Sequence, residues 1–218
     1  MSTQIPEQEA EAESSAEAEA DASAESPQDK RMAKKAEAAT YRDAQKKAQE
    51  EIEAAERSVQ LKVFRYDPEV EGKQEPRFDE FHVPFTKGMT VLDALMYARD
   101  HYDPSLTFRH SCRQAVCGSD AMFVNGQQRL CCKTQMSDLE WPVRVEPLPH
   151  QDVVKDLVVD MQHFYDQMHS VEPYFQGDEN APSGEEQKQS RENREKIKMS
   201  TRCIWCGACM SSCNIAAG

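Results

Sequence analysis

Apolar and polar residues alternate from Val59 through Gln60, Leu61, Lys62, Val63, Phe64 and Arg65 to Tyr66, the period of a strand with one buried face. Asp67–Pro68 then marks a turn. Phe78, Phe81, Val83 and Phe85 predict the second strand of a hairpin. Thr90 stands where it can cap a helix running through Val91–Tyr97, with Val91, Leu92, Leu95 and Met96 on one face. Pro142–Leu148 reads as a further short strand. Val153, Val154, Leu157, Val158, Met161, Phe164, Tyr165 and Met168 recur at helical spacing, which predicts a core-packing helix over about residues 152–169. Arg191–Met199 predicts another helix, and 176–190 a surface loop. Strands and helices in this order give an α+β fold.

Upstream of Ser58 the pattern vanishes. Residues 1–29 hold nine acidic residues and no Lys or Arg, which accounts for most of the formal net charge of −13 on this 218-residue chain. Ala, Glu and Ser in that proportion offer almost nothing to bury, so the segment is expected to stay disordered. It has neither the basic start and apolar core of a secretory signal nor the Arg-rich make-up of a mitochondrial presequence, so the cytoplasm is the default compartment. Residues 30–57 consist of strong helix formers with charges spaced i,i+4, predicting a solvated helix. No run approaches the ~18 apolar residues of a membrane span. The negative balance without a basic stripe argues against a nucleic-acid partner.

All eight cysteines fall in two groups, Cys112, Cys117, Cys131, Cys132 and Cys203, Cys206, Cys209, Cys213. Without a secretion signal, clustered thiols point to metal and away from disulfides. The second group reads C-x2-C-x2-C-x3-C, the bacterial ferredoxin run whose fourth Cys serves a different cluster. Structural zinc sites instead pair two C-x2-C knuckles across a longer loop. The first group resembles the C-x4-C-x2-C spacing of plant-type 2Fe–2S loops, with Asp120 in the third position and Cys132 as the distant fourth donor. A carboxylate is a harder donor than a thiolate and alters the cluster potential. The alternative is that Asp120 is a loop residue and Cys131 takes its place. Gly118 and Ser119 suit a loop that brings backbone N–H groups to sulfur. Asn125–Gly126 predicts a tight turn that returns the chain to Cys132, leaving Cys131 on the other face as a buried filler.

These residues resemble the iron–sulfur subunits of succinate dehydrogenase and fumarate reductase. The resemblance is carried by Ser111-Cys112-Arg113 through Cys117-Gly118-Ser119-Asp120, then Asn125-Gly126 to Cys132 and Val145-Glu146-Pro147-Leu148-Pro149. It continues through Asp156-Leu157-Val158-Val159-Asp160 with Phe164-Tyr165 to Cys203-Ile204-Trp205-Cys206-Gly207-Ala208-Cys209. It covers roughly Val59 to Gly218. It leaves residues 1–57, the acidic tail and charged helix, unexplained, and implies two segments beyond them. Residues 58–150 are a plant-type ferredoxin β-grasp domain holding a 2Fe–2S cluster through Cys112, Cys117, Asp120 and Cys132. Residues 151–218 begin a helical bacterial-type ferredoxin domain in which Cys203, Cys206 and Cys209 bind a 4Fe–4S cluster and Cys213 a 3Fe–4S cluster.

The resemblance further implies electron transfer between the FAD of a flavoprotein subunit, where succinate is oxidised, and a quinone. Membrane-anchor subunits would hold the chain at the cytoplasmic face of the cell membrane. No residue here need act as acid, base or nucleophile, and the six His show no ligand or triad spacing. Three departures stand out. Ala115 occupies a frequent Gly position; Asn214 and Ile215 stand where the family has a Pro and its neighbour beside the quinone; and the chain ends at Gly218, before the cysteines that complete the last two clusters. The expectation is therefore a fragment of a longer subunit. Two other readings are carried along, a free-standing ferredoxin-like carrier and a zinc-stabilised interaction module.

Overall fold

A computed structural model describes residues 57–174, 176–177, 184 and 186–215, and, further upstream, positions 31–32, 35, 38–40, 42–43, 45–47 and 50. The chain divides into two units, Met1–Ala39 and Thr40–Gly218. In the first, described residues 31–32, 35 and 38–39 are helical and exposed; in the second, so are 40, 42–43, 45–47 and 50. The expected disorder of 1–29 lies outside the described residues.

The second unit is built on a mixed sheet of β1 (Ser58–Arg65), β2 (Arg77–Pro84), β3 (Ala121–Val124), β4 (Gln127–Leu130) and β5 (Val143–Glu146), in the order β2-β1-β5-β3-β4. β1 and β2 form the expected antiparallel hairpin, Leu61 facing Phe81. β5 lies parallel to β1, Leu61 beside Val143, and antiparallel to β3. The period-two pattern of β1 is realised directly: Val59, Leu61 and Val63 are fully buried between half-buried neighbours. Helix α1 (Val91–His101) sets Val91, Leu92, Ala94, Leu95 and Ala98 into the same core. Its start is a complete capping box: the Thr90 hydroxyl accepts from Asp93 N at 3.2 Å, and Asp93 Oδ2 accepts from Thr90 N at 2.9 Å.

One expectation is corrected. The apolar run after Asp152 is not a continuous helix but a two-stranded hairpin, β6 (Val153–Lys155) and β7 (Val158–Val159), followed by α2 (Gln162–Ser170). β-branched Val153, Val154, Val158 and Val159 favour extended backbone. Asp156, at φ +48°, makes the turn between them. Its carboxylate is the reason that conformation holds. Oδ1 accepts from Arg65 Nε and Tyr66 N, each at 3.0 Å, and Oδ2 accepts from Thr107 N at 2.9 Å. Arg65, 2% exposed, also donates to Asp103 at 2.6 Å, Asp79 at 3.2 Å and Ser105 at 2.8 Å. This buried guanidinium therefore joins β1, β2, the loop after α1 and the β6–β7 hairpin. Val159, Met161 and Leu148 form a second small core with Phe164 and Tyr165 packed against it. Beyond it lie α3 (Arg191–Ile197), near its expected place, and α4 (Ala208–Ser211). Among the described residues no helix is long and apolar enough to cross a membrane.

Candidate metal-cluster site

The first cysteine group lies on the loop between α1 and β3 and on the turn that follows β4. Three loop positions, Arg113 (φ +57°), Ala115 (φ +57°) and Gly118 (φ +71°), have left-handed backbone. That geometry turns successive N–H groups inward, where they make a nest for negative charge. Gln114 N, Val116 N and Cys117 N lie 3.4, 3.4 and 3.3 Å from Cys112 Sγ. Ala115 N donates to Cys132 Sγ at 3.3 Å, which joins the loop to the fourth donor. The Gly preference at the Ala115 position is thereby explained, since an L residue there carries roughly 1–2 kcal/mol of left-handed strain.

Cys117 Sγ takes Cys112 N at 3.5 Å and lies 3.1 Å from Ser119 Oγ. Hydrogen bonds from the Ser119 hydroxyl and the backbone N–H of Cys112 and Ser119 bring its thiol down to about 6, so it is a ready thiolate. Cys132 moves the other way, to about 11, because burial and the neighbouring Asp120 carboxylate both oppose a second negative charge.

Asp120 is 2% exposed. Its Oδ2 accepts from Cys132 N, while Oδ1 is buried and has no donor. A buried carboxylate oxygen without a partner is costly on its own, and an iron centre beside it would supply the missing positive charge. The residues present therefore fit a sulfur-rich cluster. The Asn125–Gly126 turn is as expected, Asn125 at φ +46° and Gly126 at φ +81° joining β3 to β4. It brings Cys131 N back to the Asp120 carbonyl at 3.1 Å. Cys131 itself is fully buried in the α1 core, and burial raises its thiol well above the ordinary value. It packs as the expected filler.

In the second group Cys203 and Cys209 are exposed and Cys206 and Cys213 half-buried. Trp205, at φ +58°, donates its N–H to Cys203 Sγ at 3.4 Å, and Gly207, at φ +75°, opens α4. Sequence reasoning did not foresee that the two groups touch. A Cβ on Gly118 would lie 2.6 Å from the Ile204 carbonyl oxygen and 2.8 Å from Cys206 Cβ, so these backbones meet where only hydrogen fits. Gln128 Nε2 donates to the Ser211 carbonyl at 3.0 Å and adds a second tie. A cavity of about 440 Å³ beside the contact is lined by residues including Cys117, Ser119, Leu157, Tyr165 and Cys206. Among the described residues no three His, Cys, Asp or Glu side chains gather as they would around a single ion.

Residues 60–166 match a family described as a 2Fe–2S iron–sulfur cluster binding domain. The chain is 39% identical over 166 residues to the fumarate reductase iron–sulfur subunit of Haemophilus influenzae, covering 71% of this chain and 64% of that one. It is 40% identical over 162 residues to the succinate dehydrogenase iron–sulfur subunit of Paracoccus denitrificans, covering 74% and 61% respectively. Among solved structures it superposes on a chain of the Mycobacterium smegmatis Sdh1 complex in the apo form with a TM-score of 0.64 and 28% identity, covering 73% of this chain and 64% of that chain. The chain thus spans about three-fifths of the length of these curated relatives.

Proposed function

We propose, from the premise that this chain is a relative of the iron–sulfur subunits of succinate dehydrogenase and fumarate reductase, that it carries single electrons between a flavoprotein's FAD and a quinone. The observation that carries the reading is the loop itself: backbone N–H groups and one hydroxyl converge on three sulfurs beside a buried carboxylate oxygen that lacks a donor. Cys112, Cys117, Asp120 and Cys132 would hold a 2Fe–2S cluster, which supplies one-electron chemistry when bound. The chain's own part is to fix the four donors, aim N–H dipoles at sulfur and keep bulk water away from Asp120. The sheet order with β5 parallel to β1, and α1 across it, supports a β-grasp domain over 58–150.

Residues 151–218 would begin the second ferredoxin-type domain, Cys203, Cys206 and Cys209 holding a 4Fe–4S cluster and Cys213 part of a 3Fe–4S cluster. On this reading succinate oxidation or fumarate reduction belongs to the flavoprotein partner. Membrane-anchor subunits place the chain peripherally on the cytoplasmic face. Cys117 and Cys206, on either side of the Gly118 contact, suit passage of electrons from the first centre toward the second.

The test is chemical. Protein purified anaerobically is expected to contain iron with matching acid-labile sulfide and to give a 2Fe–2S EPR signal on reduction. C112S or C117S removes that signal. Zinc without iron or sulfide would replace this reading with that of a zinc-stabilised module.

A further inference from the structure

The donors that reach Cys112 and Cys132 from the loop are backbone N–H groups, which a side-chain replacement leaves in place. At Cys117 the arrangement differs. The Ser119 hydroxyl lies 3.1 Å from Cys117 Sγ, two residues away on the same turn. Ser119 is half-buried, next to buried Gly118, and lines the cavity beside the contact between the loop and the second cysteine run. A thiolate ligand has no proton to give, so at this pair the hydroxyl is the donor and sulfur the acceptor.

From this geometry we propose that Ser119 sets the reduction potential of the first centre by donating a hydrogen bond to the Cys117 ligand. The inference rests on Cys117 being a cluster ligand, as argued above. One electron added to the centre increases the negative charge on its ligand sulfurs. A fixed O–H dipole aimed at sulfur stabilises that charge more in the reduced state than in the oxidised one, while the proton stays on its oxygen. Ser119 is a positioning and tuning residue; it neither ligates iron nor exchanges a proton. Gly118, its neighbour, lets this turn pack directly against Ile204 and Cys206, where an added Cβ would clash.

The experiment is a reductive titration of the full chain in its native complex, followed by EPR, on wild type, S119A and S119T. S119A is expected to keep its iron, sulfide and 2Fe–2S signal. Its reduction equilibrium should move about threefold to tenfold toward the oxidised form, tenfold being about 59 mV for a one-electron couple. S119T, which restores a hydroxyl on the same carbon, should return most of the shift. An unchanged potential in S119A with an intact signal overturns the inference alone, as does an S119T variant shifted as far as S119A. A wild type without a reducible 2Fe–2S centre overturns the ligand reading and this inference with it, so the two failures are told apart.

Discussion

Asp120 is a carboxylate placed where thiolates are the softer match for iron. Its surroundings make the choice workable: one oxygen is held by the Cys132 N–H, and the other is buried with no donor. The fixed oxygen orients the group, and the other would be free to meet a cation. This argues for direct ligation on grounds that spacing could not supply, since spacing left Cys131 as an alternative. Cys131 is fully buried in the α1 core. Asp120→Cys should therefore retain a 2Fe–2S centre of unchanged iron content, because a sulfur fits the same corner of the loop, but with a shifted midpoint potential. Potentiometric titration decides it: an unmoved potential, or loss of the centre, would show that Asp120 is not a ligand.

At the scale of elements, the β6–β7 hairpin is held by charge as much as by packing. Arg65 and Asp156 are 2% and 1% exposed and bonded at 3.0 Å. Removing one partner of a buried pair leaves the other uncompensated. Asp156→Ala should cost about 3 kcal/mol, at the lower end for a broken buried pair because Asp103, Asp79 and Ser105 still receive the guanidinium. Asp156→Asn keeps an acceptor for Arg65 and should cost about half as much. Urea unfolding of the three proteins measures both: a loss in Asn as large as in Ala would mean that the acceptor it keeps contributes nothing and that the negative charge alone secures the hairpin. The alternation of β1, the Thr90 cap and the Asn125–Gly126 turn were legible in the sequence because each depends on neighbours within a few residues. The β6–β7 hairpin was not. Val153, Val154, Leu157, Val158 and Met161 happen to recur at helical spacing, and the group that breaks the helix acts through Arg65, 91 positions away. A sequence pattern holds no record of that distance.

Across the second unit as a whole, the arrangement that matters most is the meeting of the two cysteine groups, separated along the chain by 70 residues. The spacing of each group was readable, and their contact was not, because it depends on the hairpin, α2 and the Gln128–Ser211 bond returning the chain to the sheet. Gly118 is the point where this return closes. An Ala there meets two obstacles at once. Its φ of +71° strains any L residue, and its methyl would lie 2.6 Å from a backbone oxygen that cannot rotate away as a flexible side chain could. Overpacking of this kind together with the strain should cost about 2–4 kcal/mol, and the only relief is for the 204–206 segment to move off the loop. Gly118→Ala should therefore raise amide hydrogen exchange across 203–209 far more than across β1 or α1, while Cys112 and Cys132 keep their backbone donors. If electrons cross between the groups here, the same variant should also weaken magnetic coupling between two reduced centres in the intact complex. Exchange that rises uniformly, or only in the sheet, would mean that the two loops are held together elsewhere and that the glycine contact follows from their closeness without causing it.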